Sequence, residues 1–366
     1  MGIDRRGKSW RARVTLPDRS QRSRSFRTKA EAVRWEAEQK TALNRGNWVD
    51  PSDTTTVAEY ARQRASLRPH RPSTARSVAG IIENHIASTK LGQRRIGAVR
   101  PSEVQAWATD LSTRLSPTNL RNIVSMVRSI FRDAVLDRLC AENPAARVKL
   151  PSFERPLIVP LTVDQVVALE NAIEDRCKAM VTVQAGAGLR IGELLALRVG
   201  DVDFLRKTIR VQYQFAQTDS KVRSEPKTPR SKRVIPVPQF VIDAIAEHLR
   251  KYPAGDDGTL FITESGNAWR HDFYGSRKFK AGVQGAGLSM MTTTHDLRHF
   301  YASILLAAGE SVVTVANRLG HANPGVTLST YAHLIADQDE RTRKALEGAW
   351  GRSSVQQRVS ADHTGR

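Results

Sequence analysis

Cysteine is nearly absent. Cys140 and Cys177 are the only two in 366 residues, far apart and in no CxxC or zinc-ligand pattern. A disulfide-stapled scaffold and a cysteine zinc site are excluded, and both side chains are expected as reduced, buried thiols of a cytosolic protein. Long apolar runs are missing too: none approaches the roughly 20 residues that a membrane-spanning helix needs. Arg5, Arg6 and Lys8 have no apolar segment behind them, so a secretory signal is not expected. Acidic side chains are the third shortage. Against 57 Lys and Arg stand 37 Asp and Glu, a formal net charge of +20. That balance favours a polyanionic partner, with a merely basic surface as the plain alternative. An anionic membrane would call for a basic amphipathic helix with an aromatic-rich apolar face, and none stands out. Nucleic acid is the better match.

What is present divides the chain. A hydrophobic content of 40% suffices for ordinary cores, and 366 residues predict two or three domains. Residues 1–30 hold ten Lys or Arg against Asp4 and Asp18. Trp10-Arg11-Ala12-Arg13-Val14 alternates as a strand, Pro17-Asp18-Arg19-Ser20 reads as a turn, and a second strand carries Arg22, Arg24 and Phe26. Thr28 with Glu31 forms a capping box for a following helix. A basic tail without structure is the alternative, but interleaved Trp10, Phe26, Trp35 and Trp48 argue for a small core. Residues 54–145 read as almost wholly helical. The clearest pattern starts at Ser116-Pro117 and runs through Leu120, Ile123, Val124, Val127, Phe131, Ala134 and Val135 at three-to-four spacing. Three prolines between Leu150 and Pro160 mark a linker, and Thr162 with Gln165 caps the next helix. Helices are expected to about Leu197, strands at Thr208–Phe215 and Lys232–Val237, then helices from Gln239, Asp296, Val312 and Asp337.

The chemistry concentrates late. His295-Asp296-Leu297-Arg298-His299 precedes Leu319-Gly320-His321 and Thr330-Tyr331, while Gly188-Leu189-Arg190-Ile191-Gly192-Glu193 supplies a second arginine upstream. Two arginines, several histidines and a tyrosine suit metal-free phosphoryl transfer: guanidinium forks neutralise phosphate, imidazoles move protons and the phenol attacks. Each residue alone has a plainer reading. Arg190 could be a surface arginine at a helix start, and Tyr331 could be a packing residue. His295 and His299 stand four apart, a spacing zinc also uses, but Asp296 breaks the HExxH pattern and Arg298 would set a cation beside the metal.

These four motifs, in this order, resemble the tyrosine recombinase (phage integrase) family over roughly residues 54–345. The resemblance implies a multidomain chain, mainly α with small β elements. Its parts would be a small β-strand and helix arm-binding domain at 1–52, a helical core-binding domain at 53–149 and a linker at 150–160. A mixed α+β catalytic domain at 161–350 and a flexible tail at 351–366 would follow. It further implies catalytic roles for Arg190, Lys227, His295, Arg298, His321 and Tyr331. Arg190 and Arg298 would clamp the phosphate, His321 would donate to it, and His295 would assist Tyr331 with its proton. Lys227 would be the general acid in a hairpin, with Lys221 and Lys232 as alternatives. Glu193 and His299 would support the site, and Arg11, Arg13, Arg22 and Arg24 would contact DNA. No metal or cofactor is implied. The implied partners are double-stranded DNA attachment sites, three further copies of the chain on that DNA, an excision factor and a host DNA-bending protein, in a bacterial cytoplasm. The implied activity is strand exchange through a 3′-phosphotyrosyl intermediate and a Holliday junction. A topoisomerase- or resolvase-like enzyme and a non-catalytic DNA-binding regulator are the competing readings.

Overall fold

Alternation organises the start of the chain. In the computed structural model, which describes residues 2–15, 21–44, 49–50, 52–153, 157–216, 219–226 and 229–334 with 343, 346, 347 and 350, the first three strands form an antiparallel sheet. They are β1 (Gly2–Arg6), β2 (Ser9–Thr15) and β3 (Gln21–Phe26), in that order across the sheet. Ala12 and Val14 are buried while Arg13 between them is exposed, as the two-residue period requires. Helix α1 (Lys29–Asn44) covers the buried face. Its Thr28–Glu31 box is formed, both bonds at 3.3 Å, and Ala32 and the Phe26–Trp35 ring pair complete a small core. Strand β1 was not expected from the sequence. The turn proposed at Pro17–Ser20 and the ring of Trp48 lie outside the described residues.

The next hundred residues are helical. They form α2 (Val57–Leu67), α3 (Pro72–Ile81), α4 (Pro101–Ser112) and α5 (Pro117–Leu136). Ser116 caps α5 through its hydroxyl, and Pro117 takes the first turn, where no donor is lost. Val57, Ile86, Val104, Leu111, Val124 and Phe131 meet in one core. Cys140 and Cys177 are free and buried, and burial pushes their thiols up to about 11 and about 12.

The chain falls into two compact units, residues 1–154 and 155–366. The second opens with α6 (Val163–Ala172), capped by Thr162 and Gln165, then α7 (Asp175–Ala187) and the short α8 (Ile191–Leu195). A three-stranded antiparallel sheet follows, with β4 (Val202–Asp203) and β5 (Thr208–Val211); its third strand comes later. The single strand expected at Thr208–Phe215 is instead two. The chain leaves the sheet at Gln212 and Tyr213, and β6 (Gln214–Ala216) pairs with β7 (Asp219–Ser224) in a separate hairpin. Arg223 fixes that departure: it stacks on Tyr213 at 4.4 Å and bonds Ala196 O and Asp201. Strand β8 (Arg233–Pro236) then returns to pair with β5, as Ile209 opposite Ile235 shows.

Helix α9 (Gln239–Lys251) packs on α7. The segment His271–Gly285, with α10 (His271–Phe273) and α11 (Phe279–Gly285), carries a turn of π-helix that the sequence reading did not anticipate. Helices α12 (Thr294–Ala307), α13 (Val312–Leu319) and α14 (Pro324–Tyr331) complete the described fold. Helix α12 begins before Asp296 because Asp296 is the third residue of a capping box on Thr293, bonding its amide at 2.7 Å. The helix expected from Asp337 and the tail at 351–366 lie outside the described residues. No helix among the described residues is long and apolar enough to cross a membrane.

Candidate active site

Two glycines turn helix ends toward one point. Gly188 ends α7 at φ 62°, and a Cβ there would sit 2.3 Å from the Tyr301 ring. Gly320 ends α13 at φ 66°, with Arg233 Nη1 3.0 Å from where its Cβ would be. A left-handed residue in so little space must be glycine. The turns leave helix C-terminal carbonyls unpaired within the helix, and these carry partial negative charge. Arginines fill that role. Arg298 Nη1 donates to Gly188 O at 2.8 Å and Nη2 to Leu319 O at 2.6 Å, while Arg190 Nη2 donates to Gly320 O at 3.2 Å.

Glu193 holds the arginines from below. It is 1% exposed and accepts from Arg190 Nη1 at 2.9 Å and from Arg233 Nη1 and Nη2 at 3.0 and 2.8 Å. Burial works to raise its carboxyl, but the Arg233 hydrogen bonds and the charges of Arg233, Arg190 and Arg298 prevail and hold it at about 2. Two guanidinium groups thus share one carboxylate, with the charge of a third, Arg298, acting on it, an arrangement with positive charge to spare for an anion.

The histidines stand around this cluster. Burial first, then His299 and Arg298, pull His295 down to about 4. Burial, then Arg298 and Arg190, do the same to His321, again to about 4. His321 lies just past Gly320 and its Nδ1 meets Thr327 Oγ1 at 2.8 Å, with Thr327 fully buried. Tyr331 ends α14 and is 1% exposed; burial is the largest cause raising its phenol to about 12. The group on that phenol is His299, whose Nδ1 lies 2.6 Å from Oη. His295 stands behind it, ring against ring at 4.6 Å and 85°.

The structure therefore gathers Arg190, Glu193, His295, Arg298, His299, His321 and Tyr331 in one place. Arg233 and Thr327 join them unforeseen. Arg233 was legible only as one more basic residue of a strand, though its place after Lys232 at the strand start was visible. Lys227 lies outside the described residues, as does the side chain of Lys221, and Lys232 pairs with exposed Glu225 at 2.7 Å. In the N-terminal unit the four arginines pair locally: Arg11 with Ser23 at 2.7 Å, Arg13 with Asp4 at 3.2 Å, Arg22 with Asp50, and Arg24 over the Phe26 ring. Among the described residues no cluster of three His, Cys, Asp or Glu side chains is placed to hold a metal ion.

Comparison with known proteins finds relatives of the chain and of its fold. The model of the phage integrase family matches residues 160–338. The integrase of Mycobacterium phage L5 is 27% identical over 336 residues, covering 88% of this chain and 89% of that protein. A structure of the Tn1549 transposon integrase in complex with a circular intermediate DNA superposes with a TM-score of 0.70 at 25% identity. It covers 80% of this chain and 99% of that one. Lambda integrase, as a tetramer bound to a Holliday junction, shares the fold at TM-score 0.60 and 15% identity, over 88% of this chain and 92% of its own. Fold and site define a tyrosine-type site-specific recombinase that acts on DNA. Within that class, residues 160–338 match the phage integrase family.

Proposed function

We propose that Tyr331 is the nucleophile of an integrase that moves a phage or related mobile element into and out of DNA. The observation that carries this reading is the Tyr331 phenol within electrostatic reach of Arg298, in a cluster of arginines that hold more positive charge than Glu193 cancels. Arg190 and Arg298 clamp the nonbridging oxygens of the scissile phosphate, where stabilising charge matters most in phosphoryl transfer. His321, braced by Thr327, donates to the same phosphate. Tyr331 Oη bonds to phosphorus, the bond to the 5′-oxygen breaks, and Lys227 protonates that leaving oxygen. The product is a 3′-phosphotyrosyl enzyme, which a 5′-hydroxyl of the partner duplex attacks in turn. Histidines of α12 manage the phenol proton, His295 being the one the family resemblance singles out. Glu193 and Arg233 fix the clamp without touching DNA.

Two duplexes with two cleavages each call for four protomers on a Holliday junction. Residues 53–149 and 161–350 would grip the core site, joined by 150–160, while the basic module at 1–52 holds separate arm sites through Arg11, Arg13, Arg22 and Arg24. Linked sites of this kind add affinity through effective concentration. An excision factor and a host DNA-bending protein would set direction, in the cytoplasm of a bacterial host. The test is a nicked duplex carrying the element's attachment core, incubated in EDTA with wild type and Tyr331→Phe. A covalent protein–DNA adduct in wild type alone supports the reading. Specific binding without an adduct from wild type favours a DNA-binding regulator instead.

A further inference from the structure

We infer that Arg223 is a positioning residue: it fastens the hairpin of β6 and β7 to α8 and so keeps the general acid in register with the phosphate clamp. The inference rests on the proposed role of Lys227 and names what holds the chain beside it. Lys227 follows Arg223 by four residues. Four residues span at most about 14 Å, so a fixed Arg223 bounds where the lysine can reach. Arg223 is fixed from three sides. Its Nε donates to Ala196 O at 2.9 Å, its Nη2 to Asp201 Oδ2 at 2.6 Å, and its guanidinium lies 4.4 Å from the centre of the Tyr213 ring. Only 14% of its side chain is exposed, and 12% of that of Asp201. A forked, stacked and sheltered arginine holds its geometry as an exposed ion pair does not.

The element it fastens to is the one that presents the clamp. Arg190 caps the start of α8 and Ala196 closes its end, five helical residues later. The other strand of the hairpin lies on the same short helix, since a Cβ on Gly192 would come 2.7 Å from Phe215 O. On the far side of Lys227, Arg230 Nη1 donates to Ala322 O at 2.7 Å, one residue past His321. The stretch that carries the lysine is thus tied before it to the helix of Arg190 and after it to the turn of His321. In cleavage the Oη–P bond forms, the bond from phosphorus to the 5′-oxygen breaks, and that oxygen takes a proton from Lys227 Nζ. A sulfur in its place departs as thiolate without one, because a thiol ionises near about pH 8.5. An arginine needed only for folding would slow both substrates alike. One that places the acid slows only the substrate whose leaving group needs the proton.

The test is single-turnover adduct formation on the nicked attachment-core duplex, made with either the natural oxygen or a sulfur at the 5′-bridging position. Wild type, Arg223→Lys and Lys227→Ala are compared. Lysine keeps a charge beside Asp201 but cannot hold a planar fork to two acceptors while lying flat on a ring. General acid catalysis is worth about 10²–10⁴-fold, and a misplacement of about 1 Å can forfeit about 10² of it. Arg223→Lys should therefore cut the oxygen substrate about 10- to 100-fold more slowly than wild type, yet cut the sulfur substrate within about threefold of it. Equal slowing on both substrates, or slowing on neither, overturns the inference. Lys227→Ala slowed alike on both overturns instead the general-acid reading beneath it, as does a wild type that forms no adduct. Should Arg223→Lys fail to melt cooperatively, Tyr213→Leu decides, since Tyr213 is 36% exposed and its ring meets Arg223. A loss on oxygen that sulfur restores supports the inference, and no difference between the two substrates refutes it.

Discussion

Arg233 Nη2 donates to Glu193 Oε2 across 2.8 Å, and the carboxylate it holds is 1% exposed. A buried pair of this kind adds little net stability when intact, yet removing one partner strands a charge at a cost of about 3–5 kcal/mol. Glu193→Gln should lower stability by about that amount in a urea melt and abolish tight phosphate clamping, since Arg190 loses the same support. A loss below about 1 kcal/mol would mean that the arginines find other partners.

Acid should weaken the protein in two stages. The folded state holds His295 and His321 at about 4, below the ordinary histidine value of 6.5. The unfolded chain thus takes protons that the folded chain refuses, and stability falls as pH drops from about 6.5 toward 4. Glu193 is depressed from 4.5 to about 2, so its contribution is complete above 4.5 and disappears between there and 2. Melting temperature against pH should show both declines, and a histidine-free flat region between pH 7 and 4.5 would contradict the first.

The helix-end glycines should differ sharply from a glycine with equal φ and open surroundings. Gly188→Ala must accept a left-handed backbone and a Cβ 2.3 Å from the Tyr301 ring, whereas Gly287, at φ 65°, has nothing within 4 Å. The strained conformation alone costs about 1–2 kcal/mol, and forced overpacking adds about 1–3. Chemical denaturation should find Gly188→Ala the more damaging by at least about 1 kcal/mol.

Thr327→Val removes the hydroxyl that meets His321 Nδ1 at 2.8 Å while keeping the side chain's shape. The hydrogen bond lost is worth about 1–3 kcal/mol in a buried setting. Adduct formation should slow on the order of tenfold, and Thr327→Ser should restore most of it. If Val and Ser variants behave alike, His321 does not depend on Thr327 for its orientation.

Much of this site was legible because its residues sit where local rules fix the backbone. A glycine before Arg190 and another before His321 announce helix ends, and the spacing of His295 and Arg298 puts both on one helix. Other parts were set by docking between distant elements, which no local pattern carries. Which histidine of α12 meets Tyr331 depends on how α12 and α14 cross. Arg233 earns its place only because β8 runs beside the end of α13, where Arg233 Nε reaches Arg318 O at 2.6 Å. The strand expected at Thr208–Phe215 failed for a similar reason: its alternation continues through Tyr213, but an arginine from β7 draws the chain into a second hairpin.

The shelter of Tyr331 bears on how such a protein lives with its substrate. A strongly basic chain meets phosphodiesters wherever it touches DNA, nearly all of them the wrong ones. With only 1% of its surface open, the phenol cannot come within bonding distance of phosphorus until α14 shifts or the residues over it part. Reactivity is therefore decided by rearrangement and not by contact. On the proposed role of Tyr331, nonspecific DNA should be bound without being cut.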